Sequence, residues 1–385
     1  MRKHTVFAMS AALALFAVTS CGSDDDDSGS AGTAAETAAA AAATTAAAAE
    51  TTAAAAETTA AGADTTAAGA DTTAAAAAGE IPTPEGDLSF TVGFPAAPGF
   101  SDLPILMTID KLNAEGWDIG TEIFSDQALQ TEALLSDAVQ FTSGNPLAAL
   151  TAIQEGAPLA LVGERSANDW IVVAQEDIQS CEDLAGKQVP YQSEASVSTY
   201  MLKTYVQETC GVEPSYFILE GSANRAAAMV GGQIDATIVQ VEDWLVATQD
   251  QETTAHVLAD IKSTLPELTT ATYSVARPWL EENTELLSAF LAHLLVTNRE
   301  ANADLESLRQ PALDYLEGYD EAALDAVIEA YSGLGIFFED GGLTEEKVAY
   351  SLDFFVNTGG LQPGMTVEQA ADLGPLMTAN EYVGS

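Results

Sequence analysis

Five short polar turns hold most of the side chains in this sequence that could recognise a ligand. They read "FPAAPGFSD" (94–102), "FTSGNP" (141–146), "PYQSEAS" (190–196), "LEGSANR" (219–225) and "VQVEDW" (239–244). In open α/β sheets, ligands bind beyond the carboxyl ends of strands, where helix N-termini present free amide groups. Helix capping explains any one such turn. Five of them in one chain predict a binding cleft.

The candidate ligand-binding residues come from these turns and from one neighbouring segment. Hydroxyls and amides supply hydrogen bonds, and aromatic rings can stack on a planar group. We expect the helix in "LEGSANR" to begin near Ala223 and to aim Arg225 into the cleft, where a lightly packed arginine adds little stability. The full set is Phe94, Phe100, Ser101, Thr142, Ser143, Asn145, Trp170, Gln192, Ser193, Ser196, Ser222, Arg225, Gln240 and Glu242.

The sequence gives no support for catalysis, a metal or a cofactor. It contains neither a G-x-S-x-G elbow nor a G-x-x-x-x-G-K-[ST] phosphate loop. His4, His256 and His293 lack a second histidine or cysteine at metal-ligand spacing. We therefore expect a protein that is not an enzyme and that uses neither a metal nor a cofactor.

The N-terminus carries an export signal. Arg2 and Lys3 precede "VFAMSAALALFAV", which is uncharged and shorter than the roughly 20 apolar residues of a membrane-spanning helix. Val18-Thr19-Ser20-Cys21 then resembles the lipobox of bacterial lipoproteins. Residues 1–20 are thus predicted to be a signal peptide and Cys21 a lipidated first residue. An ordinary signal peptide with an incidental cysteine is the alternative.

Residues 21–80 are predicted to form a disordered tether. A seven-residue repeat, "TTAAAAE" and "TTAAGAD", is visible there, but the segment after Gly22 contains no Leu, Ile or Val. A coiled coil needs large apolar residues in its seam, so this repeat does not predict one. The composition is typical of a solvated, flexible segment.

Charge and cysteine content restrict the partners. The chain has 58 acidic and 12 basic residues, a net charge of −46, which repels phosphate backbones and anionic lipids. We expect no nucleic acid and no membrane contact besides the lipid anchor. Outside the membrane, Cys181 and Cys210 are expected to form a disulfide; two unrelated buried cysteines are the alternative.

From about Leu88 onward, short β-like runs alternate with helical patterns, which predicts an α/β fold with a largely parallel sheet. After Pro278 the pattern is mainly helical, and "WLEENTELLSAFLAHLLVTNREA" is its clearest amphipathic helix. The stretches "LLSDAVQF" (134–141) and "MVGGQIDA" (229–236) share a layout of helix end, turn and strand start. This internal similarity favours two related α/β lobes in one chain.

Residues 88–380 resemble the solute-binding proteins of ABC importers in the nitrate/sulfonate/taurine and thiamine-precursor group. "AAAMVGGQIDATIVQ" matches the G-Q-x-D-A stretch of that family, and "DIQSCEDLAGKQVPYQSEAS" its L-x-G-K-x-V segment. "ALLSDAVQFTSGNPLAAL" resembles the L-L-S-G-x-x-D-F stretch, but Asp137 replaces the usual glycine and Gln140 the usual aspartate. "LEENTELLSAFLAHLL" resembles the C-terminal N-P-E-L helix, with Thr284 in place of proline.

The resemblance implies a type II periplasmic-binding-protein fold: two α/β lobes around a ligand cleft, two crossing hinge strands near residues 168–174 and 270–276, and a helical C-terminal region. It divides the folded part into lobe I (88–172), lobe II (173–269) and a return to lobe I with C-terminal helices (270–385).

The implied function is that of a monomeric binding protein on the outer face of the cytoplasmic membrane, which delivers a small-molecule ligand to an ABC transporter permease. A neutral or cationic ring compound is the favoured ligand. A sulfonate or nitrate held by Arg225, and a secreted sensor or enzyme on the same fold, remain alternatives.

Overall fold

A computed structural model describes residues 80–194, 196–249, 251–316, 318–332 and 334–384. The signal peptide, Cys21 and the tether predicted for residues 21–80 lie outside the described residues, apart from Glu80. The strands are β1 Ser89–Phe94, β2 Asp118–Ile123, β3 Phe141–Gly144, β4 Leu159–Glu164, β5 Trp170–Ala174, β6 Gln188–Tyr191, β7 Ser215–Ile218, β8 Ala236–Gln240, β9 His256–Asp260 and β10 Thr272–Ala276. The α-helices are α1 Leu103–Ala114, α2 Gln127–Leu135, α3 Pro146–Gln154, α4 Val197–Thr204, α5 Ser222–Val230, α6 Val241–Thr248, α7 Ile261–Thr264, α8 Arg277–Ala303, α9 Arg309–Tyr315, α10 Glu321–Tyr331, α11 Glu345–Thr358, α12 Val367–Ala370 and α13 Gly374–Val383.

The first sheet has five strands in the order β2-β1-β3-β10-β4. Strand β1 runs parallel to β2 and β3, whereas β10 runs antiparallel to β3 and β4. Its core packs against the long helix α8: the Phe141 ring lies 5.0 Å from that of Tyr273 and 5.3 Å from that of Phe290. Burying side chains of this size contributes about 1.5–3 kcal/mol each.

The second group of strands comprises β8-β5-β9 and, beside it, the parallel pair β6-β7. The Asp235 amide donates to the Gln188 carbonyl at 3.1 Å, and the Thr237 hydroxyl donates to the Pro190 carbonyl at 2.8 Å, so β6 lies next to β8. Pro190 has no amide hydrogen and therefore interrupts the ladder between these two strands. The complete spatial order is β7-β6-β8-β5-β9, which we call the second sheet.

Both sheets have the same topology. Each sheet has four strands that can be numbered along the chain, β1 to β4 in the first sheet and β6 to β9, without β5, in the second. A fifth, antiparallel strand is inserted from elsewhere in the chain: β10 in the first sheet and β5 in the second. In both sheets the spatial order is second, first, third, inserted and fourth. The stretches 134–141 and 229–236 occupy equivalent places, immediately before β3 and β8. The internal similarity seen in the sequence thus corresponds to two α/β units of one design.

Each antiparallel strand is reached by a crossing between the sheets. The chain leaves the first sheet after β4 and enters the second at β5, and it returns from β9 through α7 to β10. These segments coincide with the crossings predicted near 168–174 and 270–276. The fold class expected from the sequence is confirmed, and the exact lobe boundaries stay a prediction.

Helices dominate the region after β10, as predicted. Helix α8 covers the predicted amphipathic segment and is interrupted at Asn283, whose backbone is not helical. Thr344 caps α11 by accepting from the Lys347 amide, and Gly359 ends that helix in a left-handed conformation. No helix among the described residues is long and apolar enough to cross a membrane.

The expected disulfide is present. Cys181 and Cys210 are bonded, with their Cα atoms 5.5 Å apart and a sequence separation of 29. Cys181 begins a 3₁₀ turn, and Cys210 ends a π-helical turn that continues α4. The bond therefore ties the segment before β6 to the end of the α4 region.

Candidate functional site

All five candidate turns lie at the carboxyl ends of strands. The turns that begin at Phe94 and Phe141 follow or include the ends of β1 and β3, and the other three are at the ends of β6, β7 and β8. Asn145 accepts from the Leu147 amide at 3.1 Å and precedes Pro146, so it caps α3. The first sheet thus contributes two of the turns and the second sheet three.

Asp102 connects three strands of the first sheet. It is 5 % exposed and stands at the start of α1. Its Oδ1 accepts from Arg165 Nη1 at 2.9 Å, beyond the end of β4, and from the Ser143 hydroxyl at 3.1 Å, at the end of β3. Its Oδ2 accepts from the Gly99 amide at 3.1 Å. One carboxylate therefore fixes the loops that follow β1, β3 and β4.

Asp169 is a second buried carboxyl, and it immediately precedes β5. It is 7 % exposed and accepts from the Tyr331 hydroxyl of α10 at 2.7 Å. Its carbonyl accepts from the Val241 amide at 3.1 Å, at the beginning of α6. Asp169 thereby joins the crossing segment, the second sheet and a C-terminal helix.

Glu242 brings the two sheets into contact. It lies in the first turn of α6, is 3 % exposed, and its Oε2 has no hydrogen-bond partner among the described residues. Its Oε1 faces Gly99, and a Cβ at position 99 would overlap that oxygen. The loop after β1 and the turn after β8 consequently meet at this carboxylate.

Burial controls the protonation of this cluster. It raises the pKa of Glu242 well above the usual range, and the charges of Asp243 and Asp169 raise it further, while Arg165 lowers it. Burial likewise raises the pKa of Asp169, against the hydrogen bond from Tyr331. For Arg165, burial lowers the pKa, but the negative charge of Asp102 opposes it and the net direction is upward. The guanidinium of Arg165 therefore stays charged.

Arg225 does not behave as predicted. It is 0 % exposed, and α5 begins at Ser222. Its Nε donates to the Ile238 carbonyl at 3.0 Å, and its Nη1 donates to Gln192 Oε1 at 2.7 Å and to the Leu219 carbonyl at 3.0 Å. The expectation of a lightly packed arginine is wrong, because this side chain is fully enclosed and links the middle of β8 to the residues that follow β6 and β7. Its contribution to stability stays a prediction.

The remaining candidates fall into three groups. Phe94 and Phe100 are buried in apolar clusters, and the Phe100 ring lies 5.7 Å from that of Tyr331. Other side chains are buried or half-buried and hold local structure: Thr142 donates to the Ser274 carbonyl, Ser196 pairs with Ser198, and Ser222 accepts from the Gln240 amide. Ser101, Ser193 and Trp170 complete the set, with Ser101 buried and Trp170 half-buried. Their roles as ligand contacts stay predictions.

Sequence reasoning missed the partners that assemble the cluster. Asp102 lies in the turn 94–102 and Asp169 in the predicted crossing 168–174, but neither was predicted to be a site residue. Tyr331 lies 162 residues from the carboxylate it contacts. The position of Asp169 at a strand crossing was a usable signal. No local pattern marks Tyr331, because it sits in an ordinary amphipathic helix.

A separate groove of about 560 Å³ lies away from the cluster. It is bordered by Pro158, Arg277, Gln362 and Met365. Arg277 Nη2 already donates to the carbonyls of Glu368 and Gln369 at 2.9 and 3.0 Å. We place the candidate site at the cluster, where buried polar atoms lack partners. No group of three or more His, Cys, Asp or Glu residues in the described part of the chain could hold a metal ion.

These two sheets, with their antiparallel inserted strands and facing polar turns, define a periplasmic-binding-protein fold. Residues 113–301 match the family described as NMT1/THI5 like. No curated protein sequence matches the chain.

Solved structures show the same fold. The alkanesulfonate-binding protein SsuA from Xanthomonas axonopodis pv. citri, bound to MOPS, is 18 % identical, with a TM-score of 0.61 over 74 % of this chain and 98 % of that chain. SsuA from Escherichia coli is 19 % identical, with a TM-score of 0.60 over 75 % and 92 %. The nitrate-binding protein NrtA from Synechocystis PCC 6803 is 11 % identical, with a TM-score of 0.60 over 78 % and 90 %.

Proposed function

We propose that this chain is the extracytoplasmic solute-binding component of an ABC-type import system. It captures a small organic molecule between the carboxyl ends of its two sheets and presents it to a membrane permease. The observation that carries the proposal is the cluster that Asp102 and Arg165 of the first sheet form with Asp169 and Glu242 at the second, in which the three carboxyls are buried. A site built from both sheets can respond to a ligand by hinge motion along the two crossing segments.

Export and anchoring complete this function. The signal peptide, the lipidated Cys21 and the tether of residues 21–80 would hold a monomeric binding protein at the outer face of the cytoplasmic membrane. The titles of the similar structures name alkanesulfonate- and nitrate-binding proteins, which are binding proteins and not enzymes.

A sulfonate-type ligand is a second candidate. Arg165 Nε and Arg225 Nη2 are buried N–H groups without a hydrogen-bond partner among the described residues. An anionic oxygen is the natural acceptor for such guanidinium groups. Phe100 and Trp170 remain candidates for stacking on a planar ligand in either case.

The direct test is to identify what the protein carries. The full chain is purified, denatured, and its released small molecules are analysed by mass spectrometry; the compound found is then titrated into refolded protein by calorimetry. We expect one saturable compound that is bound and returned unchanged. Chemical turnover of that compound, or no release and no binding, would contradict the proposal.

A further inference from the structure

Glu242 has a buried carboxyl group, and one of its oxygens lacks a hydrogen-bond partner among the described residues. Its side chain is enclosed between α6 and the loop after β1, and its Oε2 accepts no hydrogen bond from the described residues. A buried polar atom without a partner destabilises a fold, and a buried ionised carboxylate does so far more. Such a group persists where a bound molecule supplies the missing partner.

Carboxyl groups outnumber cations around Glu242. Asp243 lies on the same helix, Asp169 at the start of β5 and Asp102 at the start of α1. The phenols of Tyr319 and Tyr331, which burial keeps neutral, approach from the C-terminal region. The cation that acts on Glu242 is Arg165, which is already bonded to Asp102 at 2.9 Å. A ligand anion placed here would further oppose ionisation of these carboxyls, whereas a ligand cation would favour it.

Arg165 Nε and Arg225 Nη2, which lack hydrogen-bond partners among the described residues, do not make the cluster favour an anion over a cation. The charge of Arg165 is neutralised by Asp102, so its Nε can donate a hydrogen bond but offers no net positive charge to an anion. Arg225 lies on α5 against the Gln192 amide, and the charge that acts on it is that of Asp243. These N–H groups suit neutral acceptor atoms of the same ligand.

We propose that the solute held between the two sheets carries a positively charged nitrogen group, an ammonium, amidinium or protonated ring nitrogen, that binds Glu242 and lies close to Asp169. This rests on the proposed solute-binding function and specifies the charge of its ligand. A cation that enters the cluster gives Oε2 of Glu242 an N–H donor. It also favours ionisation of both carboxyls, so that binding releases protons to the solvent.

Three probes of similar size test the charge preference: benzamidinium, benzamide and benzenesulfonate. The full chain, Glu242→Gln and the control Glu220→Gln are compared by thermal unfolding at pH 8. Glu220 is an exposed carboxylate on another of the candidate turns. We expect benzamidinium alone to raise the melting temperature of wild type and Glu220→Gln in a saturable way, and not that of Glu242→Gln.

The unliganded variants give a readout that needs no probe. Because burial raises the pKa of Glu242 in the folded chain, the folded chain retains a proton that the unfolded chain loses above about pH 4.5, and stability falls as pH rises from there. Glu242→Gln removes this loss. It should melt above wild type at pH 8, with the gap closing toward pH 4.5. A lower melting temperature for Glu242→Gln at every pH would mark a structural glutamate and overturn the inference.

The outcomes separate the two proposals. Stabilisation by benzenesulfonate but not by benzamidinium overturns the cationic ligand and leaves solute binding intact. If none of the three probes shifts the melting temperature and the purified chain releases no compound, both proposals fail.

Discussion

Arg225 is a charged side chain that serves as part of the core. Neutral oxygens surround it, namely two carbonyls and the Gln192 amide, at 2.7 to 3.0 Å. Burial lowers its pKa to about 10, and Asp243 partly opposes that change. Arg225→Met would leave these buried acceptors unpaired, each at about 1–3 kcal/mol. For three acceptors, we expect the free energy of unfolding to fall by about 3 kcal/mol or more in urea titrations.

The control for Arg225 is Arg309→Met. Arg309 forms ion pairs with Glu306, Glu321 and Asp325, all largely exposed, and exposed pairs contribute little. If the two substitutions lower the free energy of unfolding by equally small amounts, the buried hydrogen bonds of Arg225 do not contribute to stability.

Residue types alone predicted which turns line the binding cleft, but they did not predict which side chains of those turns contact one another. Ser, Asn and Asp after a strand predict a helix start, which Asn145 confirms by capping α3. The contact between Arg165 and Asp102 spans 63 residues. Such a pair depends on how the strands are ordered, and charge and spacing along the chain do not encode that order.

At the scale of elements, one buried ion pair fastens helix α11 to strand β4. Glu164 ends β4 and is 2 % exposed; Lys347 Nζ lies 2.7 Å from its Oε2 and 4.2 Å from the ring centroid of Phe338. Burial raises the pKa of Glu164 to about 7, although Lys347 opposes it. The folded chain therefore keeps a proton that the unfolded chain loses above about pH 4.5, and this carboxyl lowers stability as pH rises from there to about 7.

Lys347→Met should make the stability of the folded chain fall more steeply as pH rises. Without the ammonium, ionised Glu164 is buried alone, and breaking such a pair costs about 3–5 kcal/mol. We expect the melting temperature of this variant to fall more than that of wild type between pH 5 and pH 8. In the double variant Glu164→Gln/Lys347→Met, this additional fall in melting temperature should vanish. If the melting temperatures of wild type, the single variant and the double variant change with pH in parallel, the pair does not have this role.

The succession of strands and helices could be predicted from local sequence patterns, such as the apolar residues at alternate positions of β1. These residues, Phe90, Val92 and Phe94, are all buried. The pairing of strands could not. Pro190 lies within β6 and breaks its ladder with β8, and β5 and β10 insert into sheets away from their neighbours in sequence. Family resemblance, and not periodicity, was what predicted the crossings.

At the scale of the whole molecule, the approach of the two sheets depends on a residue with no side chain. Gly99 has φ −109° and ψ −173°, an extended conformation that any residue adopts. Glu242 is therefore what excludes a side chain there, because a Cβ would overlap its Oε1. A larger side chain at position 99 therefore tests whether this contact is needed for the two sheets to approach each other, and it does so without straining the backbone.

Gly99→Val should hold the sheets apart or displace the Glu242 carboxylate, and either response disturbs the cluster. We expect the affinity for the compound released from wild-type protein to fall about tenfold or more, roughly 1.4 kcal/mol, and the radius of gyration with that compound bound to exceed that of wild type in X-ray scattering. Gly120→Ala is the control, because its Cβ meets only the Thr91 side chain, at 3.3 Å. If Gly99→Val binds and compacts like Gly120→Ala, then the contact between Gly99 and Glu242 has no part in closure, and the site must lie elsewhere between the sheets.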